Sequence, residues 1–359
     1  MFWGSKRKKT STNIGSLPED LVFEILLRLP AEDIYKTAIL VCKKWHNAIH
    51  SCNFVHKHLQ HSAPVLLAQL IDHGDDRDYG FHQLNIKRFL PMGRGSVEES
   101  EFSYDTMGRV LGSCNGLILE CLETEDRYNL SIVNPVRFES FDLPSISPEF
   151  DIAYDPMIAY AEASNKYKVV VMGFWKFEPT GIESCVMLTV GVDKSWRRVD
   201  TKHLDIDRCL STQRFIHWTR SEGTCIANLN VETEIVTETR IPQGYEKRFK
   251  YYLSMGSCLT LLVECVEFSW EVLKMKPETG EWTRMLKIDL EPLKGKFVNL
   301  VWKCVSPIGW LNEKMLALRI FSPPVCVLYN VRTQEIESLE LERPSDDYFF
   351  NVHRDSLIW

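Results

Sequence analysis

The chain has 359 residues, 45% of them hydrophobic and 25% charged, with a net charge of −7. That length holds one large domain, or a small one plus a large one, and the negative balance disfavours a general nucleic-acid binder. The longest apolar runs, such as 64–70 and 325–329, fall far short of the roughly 18–20 residues of a membrane span, no signal-peptide core follows the start, and the 11 cysteines, none in a Cys-x-x-Cys pair, fit buried free thiols in a reducing compartment.

Residues 1–15 are polar and include the basic run 6–9 without an acid. They read as a disordered tail, either a nuclear-import address or a plain solvated segment. Residues 16–61 read as helical. Ser16 and Glu19 match a capping box, with Pro18 in the first turn where its missing N–H costs nothing. Leu21, Val22, Ile25, Leu26 and Leu29 then recur at helical spacing, and Pro30 stops the helix. A second helical stripe comprises Ile34, Ala38, Val41, Trp45 and Ile49, and a third short piece runs from Phe54 to Leu59.

From residue 62 the texture changes to short runs of β-branched and aromatic residues separated by turn residues. The acidic stretch 72–78 reads as a loop. A weak repeat recurs at 132–138, 190–196, 227–235, 273–282 and 327–336: an apolar strand, a turn with Asn, Asp or Pro and often Thr, then a second strand. The copies lie roughly 40–60 residues apart, the length of a propeller blade. An ordinary β-sandwich would reuse the same turn residues, but the blade-length spacing favours a propeller. The fold class is therefore α+β overall: a small helical unit followed by a mainly-β, propeller-like domain over 62–359.

The helical segment resembles an F-box. The matching text is Leu17-Pro18-Glu19-Asp20-Leu21, Glu24-Ile25-Leu26, Arg28-Leu29-Pro30, Val41-Cys42-Lys43-Lys44-Trp45, and Phe54 with His58-Leu59. Ile34 stands where the family usually has Leu, and Asp33 where it usually has Ser. The remainder resembles the plant F-box-associated domain, on Gly112–Leu117, Val133–Pro135, Leu143-Pro144, Lys166–Val170, Ser195–Arg197 and Arg354–Ile358. Gly-Gly and Trp-Asp dipeptides are missing, which separates it from ordinary kelch and WD-repeat propellers.

The resemblance implies a non-catalytic substrate receptor of an SCF-type (Skp-cullin-F-box) ubiquitin ligase in the cytoplasm and/or nucleus. A Skp-type adaptor would dock on Leu17, Pro18, Leu21, Ile25, Leu26, Leu29, Pro30, Val41 and Trp45, bringing cullin and RING subunits with it. The β domain would hold a protein substrate. A small helical unit is near the lower limit of independent stability, so some of these apolar positions should face a partner; the alternative is that Leu17, Leu21, Ile25 and Leu26 pack on the β domain. A competing function is a stand-alone β-propeller scaffold or lectin that engages no ligase.

For the substrate, aromatic and Arg anchors on loops are the expected contacts: Trp175, Phe177, Trp218, Arg220, Tyr348 and Phe349. The alternative is that these rings fill gaps between blades. Two chemical patterns are weaker. Gly112-Ser-Cys114-Asn-Gly116 mimics a nucleophile elbow, but an elbow needs a following helix, whereas 117–122 reads as a strand and Asn115-Gly116 as a hairpin turn. His46 and His50 have zinc-ligand spacing without the Glu of His-Glu-x-x-His. No cofactor or metal is expected, and neither nucleic acid nor a membrane as partner. The last residues, 356–359, are apolar, and are expected to form a strand that closes the ring near the start of the β domain.

Overall fold

The computed structural model describes residues 17–70, 84–92, 96–106, 108–124, 127–178, 183–201, 206–220, 222–246 and 248–358. The basic run 6–9, Ser16, the acidic stretch 72–78 and Trp359 lie outside these. The first helix, Glu19–Leu26, starts with Pro18 at its N-cap and no side-chain cap; Glu19 and Asp20 place negative charge at the positive end of the helix dipole. The 34–49 stripe is two helical segments rather than one. A segment running through Ala31–Asp33, a π turn at Ile34–Ala38 and Ile39–Val41 stops at Cys42, which is extended (φ −163°), and the chain restarts as Lys43–Ile49. The periodicity survives the break because Ile34, Ala38 and Ile49 all reach one core. The last helix, Cys52–His61, is capped by Ser51, whose hydroxyl accepts from Phe54 N–H at 3.3 Å.

The β domain is a six-bladed propeller of antiparallel sheets. Blade 1 contains Pro64–Leu70, Leu84–Met92 and Ser96–Thr106, and its innermost strand is the C-terminal Tyr348–Arg354. That strand pairs with Pro64–Leu70 in a register from Pro64↔Arg354 to Leu70↔Tyr348. Blades 2 to 6 follow in chain order with innermost strands Arg109–Cys114, Met157–Ala161, Ile206–Ser211, Lys250–Met255 and Val305–Trp310, which neighbour one another around a central channel. Ring closure is thus made by Tyr348–Arg354. The expected closing strand over 356–359 does not form: 355–358 are outside any strand.

Strands buried on both faces explain the continuous apolar runs. In Lys166–Trp175, the second strand of blade 3, Val169 and Val171 join the core shared with blade 2, and Val170 and Met172 the core shared with blade 4. The five repeat copies are the hairpins joining the third and fourth strands of blades 2 to 6. Their shared sequence has a local cause. Asn134 accepts from the N–H groups of Val136 and Arg137, Asn230 from those of Glu232 and Thr233, and Asn330 from those of Arg332 and Thr333, all at 2.9–3.3 Å. Each Asn side chain caps its own turn.

Beyond the closing strand the chain crosses the top of blade 2, the face that carries the turns between first and second strands. Asn134 Nδ2 donates to the carbonyls of Ser356 (3.2 Å) and Ile358 (2.5 Å), and Arg137 Nη1 to that of Leu357 at 3.3 Å. Leu357 is delivered into the core of the helical unit, which also takes in Val136 from the blade 2 turn. Asp355 is held by Arg88 at 2.7 Å. Burial pushes its carboxyl up, but the His353 hydrogen bond and the charges of His353 and Arg88 outweigh this and hold it below the usual range. Gly116 lies directly under the crossing. Its φ is +86°, and a Cβ there would sit 2.2 Å from the Ser356 Cβ and 2.9 Å from the Arg354 carbonyl oxygen. Gly116→Ala is expected to destabilise the protein by about 2 kcal/mol or more, and Asn134→Ala by a similar amount because it strands four partners, the Val136 and Arg137 N–H groups and the Ser356 and Ile358 carbonyls. Urea melts of both variants check this; unchanged midpoints would mean the crossing is not a structural contact.

Blade 4 contains a buried polar row. His217 Nδ1 faces Asn228 Oδ1 at 2.8 Å, Thr212 Oγ1 meets His217 Nε2 at 3.1 Å, and Asn228 Nδ2 donates to Thr239 Oγ1 at 3.0 Å. Burial lowers the His217 pKa to about 4, against the Asn228 contact, which raises it. The unfolded chain, with a His near 6.5, therefore takes up the proton first. The favourable contribution is complete above pH 6.5 and declines as pH falls from there towards 4, by on the order of 3 kcal/mol. Burial lowers His58 in the same direction. Denaturant melts between pH 7 and 4.5 should show stability falling with pH, and His217→Gln should flatten that slope; an unaltered slope would refute the assignment.

Candidate protein-interaction surfaces

The first helix has two apolar faces. Val22 and Leu26 turn inward to a core with Ile34, Ala38, Ile49 and Phe54. Leu17, Leu21 and Ile25, spaced by four residues, turn outward and are 40%, 52% and 47% exposed. A helix needs one apolar face to fold onto a neighbour; a second, solvent-facing one is a surface for something else. Leu40 and Val41, 78% and 57% exposed, add to it, and Leu17, Val41 and Trp45 line one groove of about 820 Å³.

Of the residues expected to meet an adaptor, Leu17, Pro18, Leu21, Ile25, Pro30 and Val41 are exposed, and Leu29 and Trp45 are half-buried against the helical core. Leu26 is a correction: it is fully enclosed and holds the unit together. Leu40 was missed because the stripe through Ile34, Ala38 and Val41 steps over it. The packing of Leu17, Leu21 and Ile25 onto the β domain, the alternative for these residues, does not occur.

The helical unit sits on the top of the ring at blade 2, through Val136, Leu357 and the Lys36 ammonium 5.8 Å from the centre of the Phe138 ring. The opposite face carries the turns between second and third strands and the connections between blades. Four of the expected substrate anchors reach it. Phe177 is 78% exposed. Trp175 is half-buried against Phe150, ring centres 5.1 Å apart, under the Arg198 guanidinium at 4.7 Å, and Trp175, Phe177 and Arg198 line a cleft of about 580 Å³. Phe349 borders the channel mouth with Arg109 over its ring at 5.4 Å. Arg220 is half-buried and paired to Glu238. Two are corrections. Trp218, 0% exposed, and Tyr348, 2% exposed, are core residues between blades.

The larger apolar concentration on this face was not anticipated. A row of rings runs Phe249–Tyr251–Trp270–Trp302–Phe268, with neighbouring centres 5.0–5.4 Å apart. Its outer end, Phe249, is exposed, as are Val266, Val298 and Val301 around it and Phe321 on blade 6. The connection after the small helix Glu291–Lys296 supplies Val298 and Val301. The hint in the sequence was the apolar run 297–302, Phe-Val-Asn-Leu-Val-Trp, next to the polar and turn residues 291–296.

The elbow-like Gly112–Gly116 segment is a strand–turn–strand: Asn115 (φ 51°) and Gly116 (φ 86°) form the hairpin turn. The Cys114 thiol is buried, and burial pushes it up to about 12, which disfavours the thiolate that nucleophilic chemistry needs. His46 and His50 stack on each other with ring centres 4.1 Å apart.

Comparison with known proteins agrees with this architecture. Residues 14–57 match the F-box domain, and residues 91–357 match the F-box associated beta propeller domain. F-box only protein 15 of Arabidopsis thaliana is 30% identical over 203 residues, 53% of this chain and 49% of its own. Another Arabidopsis thaliana F-box protein is 26% identical over 249 residues, 66% of this chain and 57% of its own. The chain spans about half the length of several curated relatives it matches. Among solved structures, TolB from Acinetobacter baumannii aligns over 87% of this chain and 73% of its own with a TM-score of 0.50 at 10% identity, a likeness of fold alone. With three quarters of its length matched by the propeller family and its helices by the F-box, the chain belongs to the plant F-box proteins that carry an F-box-associated β-propeller domain.

Proposed function

We propose that this protein is the substrate-recognition subunit of an SCF-type ubiquitin ligase, acting in the cytoplasm and/or nucleus. The observation that carries the reading is the outward stripe of Leu17, just ahead of the first helix, with Leu21 and Ile25 on that helix, whose other face is already packed. A Skp-type adaptor covering that stripe would link the chain to a cullin and a RING subunit, and the propeller would hold a protein for ubiquitin transfer. The transfer chemistry would then belong to the partners.

Two kinds of substitution separate contact from stability. Leu21→Arg with Ile25→Arg alters exposed positions, so the fold should keep its melting temperature while adaptor binding falls by at least about 30-fold, as expected for central apolar contacts. Leu26→Ala should instead destabilise the helical unit by about 2–5 kcal/mol. Titration of purified adaptor against each variant, beside its melting curve, checks both. Full-strength binding by the double Arg variant would refute the docking surface.

Substrate recognition is assigned to the face opposite the F-box, where Phe249, Val301 and Phe321 on one side and Phe177 with Trp175 on the other present apolar surface in a polar surround. Proximity labelling under proteasome inhibition should give a set of proteins that is lost in a Phe249→Ser/Val301→Ser variant while adaptor labelling persists. Retention of the whole set by that variant would place the substrate surface elsewhere.

A further inference from the structure

Between the F-box and the tops of blades 2 and 3 lies a cavity of about 590 Å³. Its walls come from four places in the chain. Ile39, Ile49 and Val55 face it from the F-box helices, Leu117 and Ile132 from blade 2, and Val190 from blade 3. Leu357 and Ile358 of the C-terminal crossing complete it. This volume, an apolar lining and a position at a junction between domains are the attributes of small-molecule sites.

The charged side chains of the lining are cations, Arg137 and Lys166; the lining also holds the imidazoles of His50 and His56, and among the described residues it contains no Asp or Glu. Arg137 is engaged by Glu139 at 3.0 Å and by the Leu357 carbonyl. Lys166, by contrast, is exposed at the turn of blade 3 and has no ion-pair partner among the described residues. The Tyr160 hydroxyl is held by Asn165, which fixes that wall. An apolar chamber with an unneutralised ammonium on its lining attracts a negative headgroup while its body is buried.

We propose that this cavity is a binding site for a small amphipathic organic anion: an apolar ring body carrying a carboxylate or sulfonate, seated with its ring between the F-box and blades 2 and 3 and its charge towards Lys166. Since such a ligand would touch both domains, its binding stabilises their junction. The site is separate from both protein-contact surfaces, so it stands or falls independently of the ligase reading.

The test uses the full chain and two probes with the same aromatic body, the anion 1-anilinonaphthalene-8-sulfonate and the neutral N-phenyl-1-naphthylamine, followed by fluorescence and by melting temperature. The anion should bind saturably at one site per chain and raise the melting temperature. Lys166→Glu, at an exposed position, should weaken the anion by about tenfold or more and leave the neutral probe unchanged. Val190→Trp, which fills the chamber, should weaken both. Phe249→Ser, on the far face, should bind as the wild type does. Equal affinity of wild type and Lys166→Glu for the anion, or undiminished binding by Val190→Trp, would overturn the proposal. So would loss of the site in Phe249→Ser, because the probe would then be reporting the exposed far-face patch.

Discussion

The passage of residues 355–358 across blade 2 is the contact on which the rest of the structure depends. Blades bury their faces against one another, and pairing the chain's two ends within blade 1 locks the first and last blades together so that the ring stays shut. Here the same few residues that follow the closing strand also hold the F-box. Arg88 fixes Asp355, Asn134 grips the carbonyls of Ser356 and Ile358, and Leu357 enters the helical core beside Val136. The F-box core is therefore incomplete without the propeller, and strain at the crossing would reach both ring closure and the F-box seat. Gly116 is where this arrangement leaves no room, because only a residue without a Cβ fits beneath Ser356.

What the sequence revealed follows from how local each determinant is. The blade spacing was legible because Asn134, Asn230 and Asn330 each stabilise their own turn through hydrogen bonds two and three residues away, so the signal survives in the linear text. The F-box helices were legible for the same reason. The fate of individual aromatic residues was not. In a strand buried on both sides, alternation carries no inside–outside information, so Trp218 looked as available as Phe177, although one is sealed between blades and the other is open. The closing strand was placed a few residues too late, because 356–359 is apolar for a different reason: Leu357 serves a core made mostly by residues 26–54. That pairing spans the chain and leaves no periodic trace.

The two sides of the ring are chemically different. The side facing the F-box is closed by turn-capping Asn residues, ion pairs and the crossing chain. One example is the cluster in which Glu234 is held by Lys168 at 2.6 Å and gripped by both terminal nitrogens of Arg197. Both cations hold the Glu234 carboxyl low. The far side ends instead in Phe177, Phe249, Val266, Val298, Val301, Phe321 and Phe349. Scattered apolar residues on a surface need no explanation. Their concentration where the inter-blade connections run, above an aromatic row anchored by the Trp302 indole N–H donating to Glu264, is a different matter. A rigid ring-to-ring stack is a costly way to support a solvated loop and an effective way to hold an exposed ring such as Phe249 in one place.

Orientation is the remaining constraint. The last F-box helix ends at His61 and the first propeller strand begins at Pro64, so two residues join the domains. A connection that short cannot act as a flexible tether, but alone it would still permit rotation about its backbone bonds. Rotation is blocked by a second attachment far away in sequence, at Val136 and Leu357, while the His58 ring, whose Nε2 lies 2.9 Å from the Leu29 carbonyl, ties the last helix to the end of the first so that the helical unit is held as one piece. Two attachments fix an axis, and the contact of Lys36 with Phe138 lies off it. The outward stripe of the F-box and the apolar far face of the propeller are thereby held in one relative orientation, on opposite sides of a rigid ring. In the proposed receptor role this means that the position of a bound substrate relative to the adaptor is set by the fold itself, and that the cavity at the joint is the place where a small ligand could alter it.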